Sequence, residues 1–142
     1  MNNVKTLKVG DKATISKKIL EAEVEMFANI SGDFNPIHLN QDYALKTIFK
    51  KRIAHGFHVG SLISAVIGQK LPGNGTIYLS QKLQFVEPVY IDDVITAIIE
   101  VKDIPKPNRV VLNTLCINQK KQIVIIGEAY VIPPGNIKLI KD

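Results

Sequence analysis

Two side chains able to exchange protons with a substrate lie five residues apart, in the segment Ser31-Gly32-Asp33-Phe34-Asn35-Pro36-Ile37-His38. A carboxylate and an imidazole can act as acid and base near neutral pH. At this spacing Asp33 and His38 diverge on a helix and face opposite sides of a straight strand, so they converge only if the chain bends. Pro36 and Asn35 favour such a bend, because proline disfavours helix before it and asparagine bonds nearby backbone.

The same residue types also occur in turns and helix caps, and His38 fits a partly buried surface histidine. A second motif, Ala54-His55-Gly56, stands at the expected N-terminus of an apolar run typical of a buried helix. The first amides of a helix have no intrahelical partner, and Gly56 lets a ligand approach them, so a carbonyl oxygen that gains negative charge can be held there. The alternative is that Gly56 only permits tight packing.

Hydrophobic periodicity predicts the elements that must position these motifs. Helical spacing predicts a helix over 20–32 that Gly32 ends, and an almost uniformly apolar stretch predicts a buried helix over about 53–69. Alternating residues predict strands at 14–19, Ile77–Phe85, 94–102, Arg109–Ile117 and 122–132, with turns at 105–108 and 118–121. We therefore expect one α+β domain over residues 1–142, in which a curved antiparallel sheet wraps the buried helix.

Composition and charge narrow the classes of protein. Of 142 residues, 46% are hydrophobic and 22% charged, which is typical of globular chains. The single cysteine, Cys116, fits a reducing compartment, and no signal peptide or membrane span is visible, so we expect a cytoplasmic protein. The formal net charge of +5 suits an anionic small molecule or reflects only a solvated surface. The basic residues are scattered and no nucleic-acid-binding motif accompanies them, which argues against nucleic acid as a partner.

Three motifs in order carry a resemblance to a known family. They are Asp33-Phe34-Asn35-Pro36-Ile37-His38, Ala54-His55-Gly56 and Leu71-Pro72-Gly73-Asn74-Gly75-Thr76-Ile77-Tyr78. Over residues 7–132 the sequence resembles the MaoC-like (R)-specific enoyl-CoA hydratases, the type that supplies monomers for polyhydroxyalkanoate synthesis. The resemblance implies a hot-dog fold, a homodimer and hydration of trans-2-enoyl-CoA to (R)-3-hydroxyacyl-CoA without a metal or other cofactor. A dimer would also cover an exposed sheet edge.

The resemblance implies a role for each matching residue. Asp33 and His38 correspond to the catalytic pair that activates water and delivers the proton, and Asn35 would orient their loop. Gly56 corresponds to the backbone N–H that polarises the thioester carbonyl. Ser64 matches a serine that helps organise the site, although a helical serine is also commonly bonded back to its own helix.

His58 departs from the family pattern, which commonly has an apolar residue at this position. We interpret His58 as lining or bordering the acyl pocket, where it would favour short enoyl chains; a surface-facing histidine is the alternative. His55 and His58 also form a His-x-x-His pair, but no Cys, Asp or Glu stands nearby in sequence to complete a metal site.

Three other functions are compatible with a hot-dog fold. A thioesterase would direct water at the carbonyl carbon, and the loop that carries Asp33 and His38 argues against it. A noncatalytic acyl-CoA-binding protein would be favoured if Asp33 or His38 were missing, and both are present. A hydroxyacyl-thioester dehydratase acting on acyl-carrier protein runs the same chemistry in reverse, and the sequence separates it poorly from the hydratase.

Overall fold

The computed structural model describes residues 5–141, which form a helix-on-sheet arrangement. The elements in chain order are β1 (Lys5–Lys8), β2 (Lys12–Lys18), α1 (Glu21–Ser31), α2 (Pro36–Leu39), α3 (Gln41–Leu45), α4 (Gly56–Gln69), β3 (Ile77–Phe85), β4 (Val94–Lys106), β5 (Arg109–Ile117), β6 (Ile123–Ile132) and β7 (Ile137–Ile140). Five strands form an antiparallel sheet in the order β2-β4-β5-β6-β3. Strands β1 and β7 pair in parallel as a separate ribbon.

Helix α4 packs against the β2, β4 and β5 side of the five-stranded sheet. It contacts β2, β4 and β5, and every second residue over most of β4 and β5 is buried. The buried residues of α4 are Val59, Leu62, Ile63, Val66 and Ile67. Burial of apolar side chains between helix and sheet is the main stabilising contribution to such a core. This is the predicted α+β hot-dog architecture.

Helix α4 differs from the prediction in its start and in its burial. It begins at Gly56, because His55 keeps an extended backbone (φ −61°, ψ 135°) as the N-cap. The helix is not buried on all sides: Ser61 and Ser64 are exposed, and Phe57 is 70% exposed. The exposed side of α4 adjoins the edge strand β3, since the rings of Phe57 and Phe85 lie 6.0 Å apart.

Other boundaries follow the sequence pattern closely. Strands β3 and β5 have the predicted limits, and Gly32 ends α1 with a left-handed backbone (φ 79°), which glycine adopts without a steric penalty. Strand β4 continues to Lys106, through the first half of the turn predicted at 105–108. The four-residue strands β1 and β7 and the short helices α2 and α3 were not predicted, since so few residues show no clear period. No helix within residues 5–141 combines the length and apolarity needed to cross a membrane.

Candidate active site

The bent loop, residues 31–38, turns sharply between α1 and α2 as the sequence predicts. The Asp33 carboxylate Oδ1 accepts a hydrogen bond from the Asn35 backbone N–H at 3.1 Å. The Asn35 side-chain Oδ1 accepts one in turn from the Ile37 N–H at 3.2 Å, which makes Asn35 the N-cap of α2. Such local side-chain bonds fix a turn without long-range contacts. Asn35 therefore fixes the turn of the loop, and its part in the reaction stays a prediction.

His38 is held with one ring nitrogen available for chemistry. The residue is 8% exposed, and its Nδ1 lies 2.7 Å from the Ile53 carbonyl oxygen. A carbonyl only accepts, so Nδ1 carries the hydrogen and the neutral ring keeps a lone pair at Nε2. Burial lowers the pKa of His38 below the usual histidine value, and the bond to the Ile53 carbonyl partly opposes this shift. His38 is thus a neutral base at neutral pH.

His55 lies between the bent loop and the start of α4. It is 2% exposed, and its Nε2 donates to the Asp33 backbone carbonyl at 2.9 Å. Its ring stacks on that of His38 at 3.8 Å between centroids and also contacts Phe27 at 4.9 Å. A carboxylate oxygen of Asp33 and one ring nitrogen from each of His38 and His55 all lie within 4.8 Å of one another. The structure therefore brings the predicted acid and base together, with His55 beside them.

Gly56 places the first backbone amide of α4 at the same point. A Cβ atom at Gly56 would lie 2.6 Å from the Phe85 ring, so only glycine fits without a shift. The first N–H groups of a helix have no intrahelical acceptor and stand at its positive end. Gly56 is therefore positioned to hold an oxygen that gains negative charge.

Two cavities meet at Gly56 and Phe57, which line both of them. The first has a volume of about 370 Å³, is mostly apolar and contains His38. The second has about 310 Å³ and contains Asp33 and His55. His38 and Asp33 therefore line different cavities, and Gly56 lines both.

The Asp33, His38 and His55 group is better suited to proton transfer than to holding a metal ion. Each imidazole already directs one nitrogen to a backbone carbonyl. That leaves at most one nitrogen on each ring for a metal ion, and the one on His55 is buried.

His58 and Ser64 lie away from the acid and base. His58 stacks on Phe27 at 5.5 Å, its Nδ1 is buried without a partner among the described residues, and it lines neither cavity. Its helical phase turns it towards α1, so its interpretation as a border of the acyl pocket is not supported. Ser64 is exposed and follows Gly56 by about two turns, or about 12 Å of helix. The single chain does not bring Ser64 to Asp33 and His38.

Two residues that hold the site were not predicted to do so. His55 was part of the Ala54-His55-Gly56 motif and of the His55–His58 pair, and no expectation concerned Arg52. The Arg52 guanidinium donates from Nε to the His38 carbonyl and from Nη1 to Glu21, both at 2.7 Å. These contacts span 14 and 31 residues and leave no local pattern. The only available signal was the position of Arg52 and His55 close before Gly56.

The MaoC like domain profile matches residues 3–120, a span that contains the bent loop and all of α4. The chain belongs to the MaoC-like family. An (R)-specific enoyl-CoA hydratase of Rhodospirillum rubrum is 45% identical over 130 residues, which cover 91% of this chain and 90% of that protein. A mitochondrial 3-hydroxyacyl-[acyl-carrier-protein] dehydratase of Arabidopsis thaliana is 33% identical over 133 residues, which cover 91% of this chain and 79% of that protein.

A solved structure extends the likeness to the fold. The (R)-hydratase from Aeromonas caviae involved in PHA biosynthesis superposes with a TM-score of 0.88 at 43% identity and covers 90% of this chain and 98% of that one. At this identity the superposition supports the hot-dog fold of the MaoC-like chain as well as its family.

Proposed function

We propose that this MaoC-like protein is an (R)-specific enoyl-CoA hydratase, which reversibly adds water to trans-2-enoyl-CoA to give (R)-3-hydroxyacyl-CoA. The observation that carries the proposal is the meeting of Asp33, the lone pair of His38 and the Gly56 amide around two adjoining cavities. The hydratases of Rhodospirillum rubrum and Aeromonas caviae support the substrate class and the stereochemistry, which geometry alone does not fix.

His38 and Asp33 supply the acid–base chemistry. Water is a poor nucleophile, so neutral His38 takes a proton at Nε2 while the oxygen adds to the β-carbon of the conjugated thioester. The imidazolium that forms is favoured by the charge of Asp33 and by the Ile53 carbonyl at Nδ1. The pair then returns a proton to the α-carbon, so that one molecule of water is added in total.

The Gly56 amide stabilises the charge that this addition creates. As the oxygen adds to the β-carbon, negative charge moves to the thioester oxygen and gives an enolate-like intermediate. A preorganised N–H at the start of α4 holds that oxygen without reorganisation. Removal of one such donor typically lowers the rate by about 10²–10³-fold.

The larger cavity has the chemistry to hold the apolar part of the substrate beside the thioester. Its inner wall consists of buried apolar side chains such as Val59, Val89 and Ile125. Its mouth carries Phe57 and Phe85, which are largely exposed. Outside the cavity, the net charge of +5 suits the phosphates of CoA.

A homodimer through β3 and the exposed side of α4 is part of the proposal. Strand β3 ends the sheet with exposed apolar side chains, among them Ile77, Leu79 and Phe85. Strand β2, at the opposite edge, carries exposed Lys12, Lys17 and Lys18, and lysines of this kind discourage pairing between sheets. The apolar edge is therefore the one that favours a second copy. Ser64 is exposed on α4. Its supporting role in the site would therefore depend on the proposed dimer interface.

Cys116 takes no part in the chemistry. It is buried and unpaired, and burial raises the pKa of its thiol to about 12, so it is not a nucleophile. A free cysteine supports a reducing compartment such as the cytoplasm.

Incubation with crotonyl-CoA tests the proposed reaction. We expect loss of the ultraviolet absorbance of the conjugated thioester, no release of free CoA and an (R)-3-hydroxy product, without added metal and in the presence of a chelator. Release of CoA would indicate a thioesterase, and an (S) product would contradict the assignment. The Arabidopsis relative favours an acyl-carrier-protein dehydratase as the second candidate. A higher kcat/KM on crotonyl-acyl-carrier protein than on crotonyl-CoA would support that second function.

A further inference from the structure

His55 contacts both members of the acid–base pair through separate parts of its side chain. Its ring Nε2–H donates a hydrogen bond to the backbone carbonyl of Asp33, and the face of its ring stacks on the ring of His38. It also directly precedes Gly56 and is the N-cap of the helix that presents the amide. His55 therefore connects the three groups on which the proposed reaction depends.

The hydrogen bonds of His55 define what the ring can do. Because the Asp33 carbonyl only accepts, Nε2 carries the hydrogen and the neutral ring has its lone pair at Nδ1. That Nδ1 atom is buried and has no partner among the described residues. Neither nitrogen is thus available to a substrate, and His55 is unsuited to act as an acid or base itself.

We propose that His55 is a positioning residue, whose N–H fixes the backbone of Asp33 and whose ring fixes the orientation of His38 relative to the Gly56 amide. The inference rests on the proposed hydratase function. Displacement of a catalytic group by about 1 Å can lower the rate about 10²-fold, so a residue that touches no substrate can still control kcat. The competing explanation is that His55 only fills space beside Phe27.

Two substitutions separate the contributions of the N–H and the ring. His55→Phe keeps a planar ring against His38 and removes the donor to Asp33. His55→Gln keeps a donor, since Nε2 of glutamine lies the same number of bonds from Cα as Nε2 of histidine, and removes the ring. The matched controls are His58→Phe and His58→Gln, because His58 lies one turn later on α4 and contacts Phe27, while its ring contact is with neither Asp33 nor His38.

We expect His55→Phe to lower kcat for crotonyl-CoA by about 10- to 100-fold with KM changed by less than about threefold. His55→Gln should recover part of this loss, because the bond to Asp33 is restored. Both His58 variants should keep kcat near the wild-type value. If His55→Phe has wild-type kcat, or if the His58 variants lose as much kcat at the same change in Tm, the positioning role is wrong.

A measurement that does not depend on activity distinguishes this inference from the proposed function. Nitrogen-15 NMR of the imidazoles should report the hydrogen of His38 on Nδ1 in the wild type. The His38 signals should move in His55→Gln, which removes the stacked ring, and stay in place in His58→Gln. Unchanged His38 signals in His55→Gln would overturn the inference even in an active enzyme. Inactivity of the wild type on crotonyl-CoA would overturn the proposed function and leave the NMR comparison decisive for His55.

Discussion

Replacement of Gly56 by alanine tests the proposed oxyanion site most directly, because the added methyl group is small and its surroundings are known. The new Cβ would lie 2.6 Å from Cε1 and 2.8 Å from Cδ1 of Phe85. Carbon atoms pack at about 3.5–4.0 Å, so the Phe85 ring or the start of α4 must move by about 1 Å. Phe85 is 49% exposed in the single chain, so its ring has more room to move than the start of α4. The substrate has less freedom, because the methyl group occupies part of its approach to the amide.

The expected effects on stability and on activity therefore differ. Alanine favours a helix over glycine by up to about 1 kcal/mol, which offsets the displacement of Phe85, so Tm should change little. A misplaced or blocked donor costs about 3–4 kcal/mol in the transition state, and kcat/KM should fall by about 10²–10³-fold. Crotonyl-CoA hydration followed by ultraviolet absorbance gives kcat/KM, and circular dichroism gives Tm.

Gly68→Ala is the matched control, since Gly68 lies in the same helix and a Cβ there would have no described atom within 4 Å apart from its chain neighbours and the backbone of its own helix. It should keep full activity. The double variant Gly56→Ala, Phe85→Leu relieves the clash with the ring and should remain inactive if the methyl group blocks the thioester. Near-normal turnover of Gly56→Ala, or full recovery in the double variant, would refute the assignment of Gly56 as the oxyanion donor.

Three further predictions concern the acid–base pair, its pH dependence and the assembly. Asp33→Asn and His38→Gln should each nearly abolish hydration in a folded protein, and the double variant should be scarcely worse than the poorer single one, because both act on one transition state; additive losses in steady-state assays would contradict this. The lowered pKa of His38 keeps its ring neutral to lower pH, so the apparent pKa of the acid limb of kcat/KM should lie below the usual histidine value. An apparent pKa above that value would show that another group titrates. Leu79→Lys should convert the proposed dimer to a monomer, whereas Ser16→Lys on the opposite edge strand should leave it a dimer, and light scattering measures both molar masses. A fully active wild-type monomer at micromolar concentration would disprove the dimer.

Local chemistry explains why the bent loop was predictable from sequence. Asn35 and Pro36 turn the chain through bonds and restrictions within a few residues, so the convergence of Asp33 and His38 follows from the segment itself. Gly32 ends α1 for a reason equally local. Strands β3 and β5 had the predicted limits because turn residues bound a clear alternation.

The contacts that hold the loop to the rest of the protein were not predictable in the same way. His55 reaches Asp33 across 22 residues, and Arg52 reaches His38 across 14, so neither contact has a period or a motif of its own. His58 follows Gly56 by two residues in sequence but not in space, because helical phase turns its ring towards Phe27 on α1. The exposed side of α4 shows that an almost uniformly apolar helix pattern does not tell which side of the helix the sheet covers.

The difference between the two sheet edges also limits the size of the proposed assembly. Each copy has one apolar edge, at β3, and one edge rich in lysine, at β2. Pairing about a two-fold axis uses the apolar edge of both copies, and the outer edges of the combined sheet are then lysine-bearing strands that repel a third copy. In the proposed dimer, growth would therefore stop at a closed pair: two five-stranded sheets would join edge to edge, with no free apolar edge from which a filament could extend.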